Sequence, residues 1–398
     1  MNLTIMPGKL HGKVRAIPSK SLAHRMLICA AFADGPTFLN CPETNRDIDA
    51  TAQCLSALGA QITRSPDGFG VTPIQEVLKS AVLPCQDSGS TLRFLLPVAG
   101  ALGCDTTFLL TGRLPQRPLS PLWEEMERMG CHLSRPTENT VRCQGRLQAG
   151  VYTIDGGVSS QFITGLLLAL ALVPGESRLT VLGQLESAPY VTMTQQVMAL
   201  FGKNTAGLAV SDGRFHSPGK QWVEGDWSNA AFFLAARALG SDVQVENLNL
   251  ESAQGDRACF TLLPELVKGT QTVCAADIPD LVPILSVVAA AAHGAEFTNI
   301  HRLRLKESDR VEAVIHMLTA LGGKAEAVGD TLRVYGTGLT GGTVDSRNDH
   351  RIAMSAAIAS TVCSRSVTIL GAECTEKSYP SFFREFKKLG GSYEQYLR

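Results

Sequence analysis

Basic residues recur beside the predicted starts of several helices. Lys20 stands at one such start with Arg25 a turn later, and Arg93 lies a turn after Gly89, where another helix is predicted to begin. Near the end of the chain, Arg351 also lies close to a predicted helix start. A helix N-terminus presents unpaired N–H groups and a partial positive charge, and a neighbouring cation strengthens its attraction for anions. One such start would be explained by capping alone, but several with adjoining cations predict a site for an anionic ligand.

Two loops add further charge. Arg113 and Arg117 lie in the segment 110–118, where the Arg-Pro pair favours an extended backbone. The run Lys306–Arg310 is dense in charge and precedes an amphipathic helix predicted over Val311–Leu321. A charge run is more often a solvated surface than a binding site, so taken alone this segment leaves both interpretations open.

The elements that would position these residues repeat along the chain. Apolar helical runs end in Leu-Gly or a related pair, because glycine readily adopts the left-handed backbone that a helix C-terminus favours. These pairs are Leu58-Gly59, Met129-Gly130, Phe201-Gly202, Leu321-Gly322 and Leu389-Gly390, with a weaker copy near Leu263–Leu266. A second series of small, apolar helices opens on polar residues. Its members begin near Ser21, Gly89, Ser159 or Ser160, Ser228, Asp280 and Asp349.

Both series indicate six units of about 65 residues, each with two helices and several short strands. A repeat of this length is too long for a solenoid. We expect an α/β fold in which each of two domains holds three units. One domain would be discontinuous, with residues 1–17 and 226–398, and residues 18–225 would form the domain inserted between them. The alternative is a generic α/β protein in which the glycines recur by coincidence.

Composition narrows the classes of function. The 398 residues include 36 Lys and Arg against 37 Asp and Glu, and the net charge of −1 argues against a protein dominated by nucleic-acid binding. The 44% apolar fraction argues against a disordered chain, and the apolar runs are shorter than the roughly 20 residues that span a bilayer. Eleven cysteines without a C-x-x-C pair, and scattered histidines, argue against a disulfide framework and a metal site. Residues 1–16 show no signal or transit pattern, so we expect a cytoplasmic protein.

One segment imitates a nucleotide-binding motif. Gly336–Gly341 matches G-x-G-x-x-G, but a strand-like rather than a helical stretch follows it. A dinucleotide site requires a helix at that point, so the segment predicts a hairpin turn instead.

Several motifs occur in an order that resembles one enzyme family. They are Ser19–Arg25, Asp87–Arg93, Leu110–Pro118, Ser159–Gln161, Ser187–Tyr190, Asp280–Pro283, Lys306–Arg310, Asp349–Arg351 and Lys377. Together, over nearly the whole chain, they resemble the 3-phosphoshikimate 1-carboxyvinyltransferase (EPSP synthase) family. The resemblance implies two domains, each of three βαβαββ units with pseudo-threefold symmetry, with substrates bound in the cleft between them.

The resemblance also implies the reaction. Members of the family transfer the enolpyruvyl group of phosphoenolpyruvate to the 5-hydroxyl of shikimate 3-phosphate and release phosphate, in the pathway to aromatic amino acids. Both substrates carry a phosphate and a carboxylate, which Arg and Lys bind well. We expect no cofactor, no metal, no nucleic-acid or membrane partner, and a monomer.

Individual roles follow from the same resemblance. Glu307 is expected to exchange a proton with the methylene carbon, Asp280 to act as base for the 5-hydroxyl, and Lys20 to balance charge or assist proton transfer. Residues expected to contact shikimate 3-phosphate are Lys20, Ser21, Arg25, Ser159, Ser160, Gln161, Ser187, Tyr190, Asp280 and Lys306. Residues expected to contact phosphoenolpyruvate are Lys20, Gly89, Arg117, Gln161, Arg310, His350, Arg351 and Lys377.

The chain departs from the commonest family pattern at His24, Asp87 and Arg302. The sequence also has to be compared with two alternative functions. The sister enzyme, UDP-N-acetylglucosamine 1-carboxyvinyltransferase, carries a cysteine in the loop that here reads Thr111–Arg117, which contains none. An inactive, anion-binding member of the family is the other alternative, and the presence of Asp280 and Glu307 argues against it.

Overall fold

The computed structural model describes residues 1–396, and the chain divides into two compact units. Unit 1 comprises Met1–Ile17 and Gly225–Arg398, and unit 2 comprises Pro18–Glu224. Unit 1 thus begins again at Gly225, one residue before the predicted boundary. A side chain at Gly225 would clash with the carbonyl of Asn247, because the two backbones are in close contact within unit 1.

Helices and short strands alternate along the described residues. The twelve α-helices within 1–396 are α1 (Lys20–Ala31), α2 (Arg46–Ala57), α3 (Gly89–Leu102), α4 (Leu122–Arg128), α5 (Ser160–Leu170), α6 (Ala188–Leu200), α7 (Trp227–Ala238), α8 (Cys259–Lys268), α9 (Val282–Ala291), α10 (Arg310–Ala320), α11 (His350–Ala359) and α12 (Phe382–Lys388). The six polar helix starts predicted from the sequence lie within two residues of the observed starts of α1, α3, α5, α7, α9 and α11.

The strands are short and fall between the helices. In the same range they are β1 (Asn2–Ile5), β2 (His11–Arg15), β3 (Thr37–Asn40), β4 (Gln61–Ser65), β5 (Gly68–Thr72), β6 (Ser80–Gln86), β7 (Asp105–Leu110), β8 (Cys131–Ser134), β9 (Thr140–Gly145), β10 (Val151–Asp155), β11 (Glu176–Leu182), β12 (Ala209–Ser211), β13 (Lys220–Trp222), β14 (Asp242–Glu246), β15 (Gln271–Cys274), β16 (Ala295–Thr298), β17 (Lys324–Val328), β18 (Thr331–Tyr335), β19 (Gly342–Asp345), β20 (Val367–Leu370) and β21 (Tyr393–Tyr396).

Unit 2 holds three small sheets that share one plan. Their strand orders are β13-β3-β5-β4, β6-β7-β9-β8 and β10-β11-β12. In each sheet a parallel pair is extended by antiparallel strands; for example, Val82 on β6 pairs in parallel with Thr107 on β7, and Thr107 pairs antiparallel with Arg142 on β9. The run β6-α3-β7-α4-β8-β9 is a complete βαβαββ unit.

Unit 1 is built on a similar plan, and the first residues of the chain contribute strands to it. Its sheets have the orders β15-β16-β18-β17, β19-β20-β1-β21 and β14-β2. The run β15-α9-β16-α10-β17-β18 is again βαβαββ. Strand β1 lies between β20 and β21, and β2 pairs in parallel with β14, so the first residues complete two sheets of unit 1. The six sheets within residues 1–396 match the six predicted repeats in number, although β14-β2 holds only the parallel pair. The predicted α/β fold with βαβαββ units is confirmed.

Local sequence explains where the helices begin and end. Asp349 caps α11 by accepting from the N–H of Arg351, and Ser88 caps α3 by accepting from the N–H of Thr91. Each of the predicted Leu-Gly ends has its glycine in the left-handed region; at Gly322, for example, φ is 85°. Capping residues and glycines therefore account for the bounds at these positions.

The interior of each unit is built from apolar helices. Every residue of α11, and Val282–Ala290 of α9, is buried in unit 1, and in unit 2 all of α5 except Gln161 is buried.

All eleven cysteines are free, and ten of them are buried, which confirms their use as small apolar residues. No helix within the described residues has the length and apolar character needed to cross a membrane.

The prediction of a hairpin turn at Gly336–Gly341 is wrong. The segment follows β18 and precedes β19, but β18 pairs with β16 and β17, whereas β19 pairs with β20. It therefore connects two different sheets of unit 1 rather than two paired strands.

Candidate active site

Lys20 is the first residue of α1, and a neighbouring helix holds its side chain. Its Nζ lies 2.8 Å from Oδ2 of Asp47 on α2. The Lys20 side chain keeps 16% of its surface exposed and Asp47 keeps 4%. The ion pair therefore fixes the ammonium group at the N-terminal end of α1, beside Ser21, and leaves part of it accessible.

Arg25 lies one turn further along α1 and is buried. Its Nε donates to Oγ1 of Thr194 at 2.8 Å, and its Nη2 donates to Oγ1 of Thr164 and to the carbonyl of Tyr190, each at 3.1 Å. Its Nη1 donates to the carbonyl of Ser21 at 2.6 Å. Burial lowers the pKa of Arg25 to about 10, which leaves it charged at neutral pH. Arg25 thus joins α1 to α5 and α6 and supports the backbone at two other predicted contacts, Ser21 and Tyr190.

Two guanidinium groups lie close to Gly89, where α3 begins. A Cβ added at this glycine would lie 2.7 Å from Nη1 of Arg117 and 3.1 Å from Nη1 of Arg93. Arg93 also donates to Oε1 of Gln161 at 2.8 Å, and Gln161 donates to Oγ of Ser90 at 2.9 Å. The missing side chain lets both cations approach a helix start that itself attracts anions. Gly89, Arg117 and Gln161 are brought together in this way.

The other predicted contacts of unit 2 lie at the starts of α5 and α6. Ser159 caps α5, with its Oγ accepting from the N–H of Gln161 at 3.3 Å, and Ser160 follows it and is buried. Ser187 precedes α6 with φ of 56°, a left-handed conformation that costs free energy for a residue other than glycine. Tyr190 lies in the first turn of α6. Backbone strain of this kind is typical of functional sites.

Arg310 is the centre of a second group of charges, in unit 1. It is the first residue of α10, and its side chain is 1% exposed. Its Nη1 lies 2.6 Å from Asp280, its Nη2 lies 2.6 Å from Glu307, and its Nε lies 2.8 Å from Asp349. Asp349 also accepts from Oγ of Ser308 at 2.9 Å. Within the run Lys306–Arg310, Ser308 and Arg310 are buried and Lys306, Glu307 and Asp309 are partly exposed, so the run is part of an ionic network rather than a solvated surface.

Two further cations surround Asp280. Nη2 of Arg351 lies 3.1 Å from one carboxylate oxygen, and Nζ of Lys306 lies 3.5 Å from the other. Nη1 of Arg351 also donates to the backbone carbonyl of Asp280 at 3.2 Å. Three carboxylates and three cations thus form one group, named here the Arg310 network: Asp280, Lys306, Glu307, Arg310, Asp349 and Arg351.

The charges of the Arg310 network shift the pKa values of its members. Burial opposes ionisation of Asp280, but Arg351, Lys306 and Arg310 outweigh it and hold the pKa of Asp280 well below its ordinary value. Burial likewise opposes ionisation of Asp349, and Arg310 again leaves its pKa below the ordinary value. Burial lowers the pKa of Lys306 to about 8, against the attraction of Asp280. Both aspartates are therefore carboxylates at neutral pH, while Lys306 titrates in the mildly alkaline range.

The last two predicted contacts are His350, which stands between Asp349 and Arg351 in the sequence, and Lys377, which lies further along the chain. His350 opens α11 and is 1% exposed, and Lys377 ends the 3-10 helix Ala372–Lys377 and is 6% exposed. Just before α11, Arg347 and Asn348 have φ values of 52° and 55°. Two consecutive left-handed residues turn the chain sharply into α11, and such strain again marks a helix start that carries candidate site residues.

Two structural partners were missed from the sequence. Asp47 pairs with Lys20 from within an amphipathic helix, and nothing in its surroundings in the sequence distinguishes it from an exposed acid. Asp349 stands at a predicted helix start directly before His350, and this position is the sequence signal for its role. Both side chains act by holding a cation in place.

The two groups differ in the chemistry they offer. In unit 2, Lys20, Arg93 and Arg117 stand at helix starts, an arrangement that binds phosphate or carboxylate groups. In unit 1, cations are interleaved with Asp280 and Glu307, so that anion binding is combined with groups able to accept or deliver protons.

Comparisons with known proteins find relatives that match nearly the whole chain. The family model of EPSP synthase (3-phosphoshikimate 1-carboxyvinyltransferase) matches residues 5–272 and 265–386. A 3-phosphoshikimate 1-carboxyvinyltransferase of Clostridium beijerinckii is 36% identical over 99% of each chain, and one of Clostridium perfringens is 37% identical over 97% of this chain and 98% of its own.

Solved structures share the fold. An EPSP synthase from Acinetobacter baumannii has a TM-score of 0.79 at 23% identity and covers 99% of this chain and 100% of its own. The enolpyruvyl transferase NikO from Streptomyces tendae has a TM-score of 0.78 at 18% identity over 99% and 98% of the two chains. At these identities the likeness establishes the fold of the chain and not its substrate.

Proposed function

The chain belongs to the EPSP synthase family, and we propose that it transfers the enolpyruvyl group of phosphoenolpyruvate to the 5-hydroxyl of shikimate 3-phosphate. The products are 5-enolpyruvylshikimate 3-phosphate and phosphate, and the reaction belongs to the shikimate pathway of aromatic amino-acid biosynthesis. The observation that carries this function is the Arg310 network, because it places two candidate proton-transfer carboxylates among cations that suit two doubly anionic substrates.

The proposed reaction proceeds by addition and then elimination. The oxygen of the 5-hydroxyl forms a bond to C2 of phosphoenolpyruvate while its proton passes to Asp280, and C3 of the methylene group takes a proton from Glu307. The product of this step is a tetrahedral ketal. The bond from C2 to the phosphate oxygen then breaks, C3 returns a proton to Glu307, and phosphate leaves with the electron pair. Lys20 and the neighbouring cations stabilise the charge that develops.

Substrate contacts are proposed for the residues named from the sequence. Those for shikimate 3-phosphate are Lys20, Ser21, Arg25, Ser159, Ser160, Gln161, Ser187, Tyr190, Asp280 and Lys306, and those for phosphoenolpyruvate are Lys20, Gly89, Arg117, Gln161, Arg310, His350, Arg351 and Lys377. Their positions at helix starts support these assignments. Arg25 was expected only to bind substrate, but its guanidinium already donates to four oxygens of the protein. Its proposed role therefore includes supporting the other contacts. The expectation that both substrates bind between two domains stays a prediction.

The Arg310 network explains how binding and catalysis can be coupled. Without substrate, Arg310 and Arg351 are neutralised by Asp280, Glu307 and Asp349. The carboxylate and phosphate of phosphoenolpyruvate compete for the same two guanidinium groups. Their binding would release Glu307 and Asp280 from Arg310 and leave both free to exchange protons with the substrates.

The remaining properties are proposed from the chemistry and the composition. The reaction needs no cofactor, and the net charge of −1 does not favour a nucleic-acid partner. Buried free cysteines suit the reducing cytoplasm. We expect the enzyme to act there as a monomer on its two small-molecule substrates.

Phosphate release, measured with each substrate omitted in turn, tests this function. Phosphate should appear only when shikimate 3-phosphate and phosphoenolpyruvate are both present. Turnover of phosphoenolpyruvate with UDP-N-acetylglucosamine instead would identify the sister activity. Binding of both substrates without release of phosphate would identify an inactive member of the family.

A further inference from the structure

Four buried side chains link three helices of unit 2. Nδ1 of His24 on α1 lies 2.7 Å from Oγ1 of Thr51 on α2, which lies 2.7 Å from Oγ1 of Thr91 on α3. Thr91 in turn donates to Oγ of Ser88, the cap of α3, at 2.7 Å. All four residues are fully buried. They are named here the hydroxyl chain.

Counting protons gives the hydroxyl chain a direction. Each hydroxyl has one proton to donate. The Thr91 proton points to Ser88 at 2.7 Å, with the carbonyl of Asp47 as a longer second acceptor at 3.4 Å, so in its contact with Thr51 the Thr91 hydroxyl must accept. Thr51 then has no proton left for His24 and accepts from the Nδ1–H of the imidazole. The chain therefore runs from His24 to Ser88 and requires the tautomer of His24 that is protonated on Nδ1.

The hydroxyl chain ends next to Gly89 and passes close to the residue that holds Lys20, and both Gly89 and Lys20 are proposed contacts of phosphoenolpyruvate. Ser88 accepts from the N–H of Thr91 at 3.3 Å and so forms the cap directly before Gly89. Oγ1 of Thr91 also lies 3.4 Å from the backbone carbonyl of Asp47, whose carboxylate holds Lys20. The same hydroxyl thus touches the structures that fix Gly89 and Lys20.

We propose that His24, Thr51 and Thr91 are positioning residues that set the distance between Lys20 and the start of α3 and thereby the affinity for phosphoenolpyruvate. This inference rests on the proposed function. The three side chains touch neither the substrates nor the reacting atoms.

The physical reason lies in the directionality of hydrogen bonds. Apolar side chains at these positions would pack the three helices together but would tolerate small shifts between them. Consecutive hydrogen bonds in a buried, low-dielectric setting constrain both distance and angle, and they strengthen one another. Binding of a small dianion by several fixed donors is sensitive to such shifts.

A matched set of variants at the centre of the hydroxyl chain tests the proposal. Thr51→Val keeps the volume of the side chain and removes its hydroxyl, whereas Thr51→Ser keeps the hydroxyl. Thr106→Val is the control, because Thr106 is equally buried in unit 2 and donates only to the carbonyl of Cys104. The purified full chain is assayed for kcat and for the KM of each substrate.

In Thr51→Val we expect the KM for phosphoenolpyruvate to rise about tenfold, with the KM for shikimate 3-phosphate and kcat changed by less than about threefold. Thr51→Ser should restore the KM, and Thr106→Val should leave it unchanged. An unchanged KM for phosphoenolpyruvate in Thr51→Val, or an equal rise for both substrates, would overturn the proposal. Absence of turnover in the unmodified enzyme would instead overturn the proposed function.

A second pair of variants covers the case in which Thr51→Val does not fold. His24→Asn retains an N–H donor close to the position of Nδ1, and His24→Leu does not. The KM for phosphoenolpyruvate should rise in His24→Leu and stay within about threefold of the unmodified enzyme in His24→Asn. Equal KM values for these two variants would contradict a positioning role for the hydroxyl chain.

Discussion

Arg310 donates from Nη2 to Oε2 of Glu307 at 2.6 Å, across three residues at the start of α10. The contact holds the proposed proton carrier on a guanidinium group that is itself a proposed contact of phosphoenolpyruvate. To deliver a proton, Glu307 must first be protonated, and a neutral carboxyl no longer forms an ion pair with Arg310. Arg310 must therefore pair with another anion during the reaction. The substrate is that anion in the proposed mechanism, and this relation leads to the first prediction.

We expect Glu307→Gln to lower kcat at least about a hundredfold, because the amide cannot exchange a proton with the methylene carbon. The variant should still bind shikimate 3-phosphate nearly as tightly as the unmodified enzyme, which calorimetry would measure. Glu312→Gln is the matched control, since Glu312 lies five residues further along, in the first turn of α10, is 45% exposed and has its Oε1 3.5 Å from Nη1 of Arg304. A near-normal rate in Glu307→Gln would remove this residue from the proton-transfer role.

Asp349→Asn should destabilise the folded protein strongly. Asp349 is fully buried and binds Arg310, Ser308 and the N–H of Arg351, so the substitution leaves Arg310 short of a charged partner. Asp280 and Glu307 still pair with Arg310, so the expected loss is that of hydrogen bonds to one charged group, about 2 kcal/mol of the free energy of unfolding. Urea denaturation would measure it, with Asp330→Asn as the exposed control, for which we expect a change below about 0.5 kcal/mol.

The effect of Asp349→Asn should also depend on pH. The pKa of Asp349 is lower in the folded protein than its ordinary value, so its charge stabilises the fold at every pH above about 4. This contribution is lost as the pH falls further, through the lower pKa of the folded state. The difference in unfolding free energy between the variant and the unmodified protein should therefore be constant near neutrality and shrink in acid. A difference that grows on acidification would show that Asp349 is not held as a carboxylate.

The fold was predictable because its signals are local. Gly59, Gly130 and their equivalents end helices by adopting a backbone that glycine favours, and capping residues such as Asp349 start them. Six repetitions made each local signal stronger. The pairing of strands was less predictable, and the mistaken hairpin at Gly336–Gly341 arose because β18 finds its partners in one sheet and β19 in another.

The structure brings several of the predicted residues together, but their contacts could not be predicted from the sequence. The residue types around Lys306–Arg310 indicated charge, but only the fold shows that Arg310 binds carboxylates from three segments of the chain. Arg25 illustrates the same limit. Its partners Thr164 and Thr194 are far away in the sequence, so its use as a support within unit 2 could not be read from its own motif.

Deprotonation of Lys306 should make kcat/KM fall at alkaline pH, which appears as the alkaline limb of the pH profile. Burial lowers the pKa of Lys306 to about 8, so raising the pH above that value removes a positive charge proposed to bind shikimate 3-phosphate. The ratio kcat/KM for this substrate reports the free enzyme and should fall above pH 8. In Lys306→Arg the side chain stays charged, and the limb should move beyond about pH 10. Lys268→Arg, at an exposed lysine, should leave the profile unchanged; a limb that survives in Lys306→Arg would belong to another group.

Gly89→Ala should weaken the binding of phosphoenolpyruvate while leaving the fold intact. The added methyl would lie 2.7 Å from Nη1 of Arg117 and 3.1 Å from Nη1 of Arg93, closer than carbon and nitrogen can approach without movement. Both neighbours are the ends of flexible side chains, so they can move away at little cost to stability, but they then leave the start of α3. We expect the KM for phosphoenolpyruvate to rise about tenfold, with a much smaller change in the KM for shikimate 3-phosphate. Gly8→Ala is the control, because nothing lies within 4 Å of a methyl at that position. Equal KM values in Gly89→Ala and the unmodified enzyme would place the binding site for phosphoenolpyruvate away from Gly89 and Arg117.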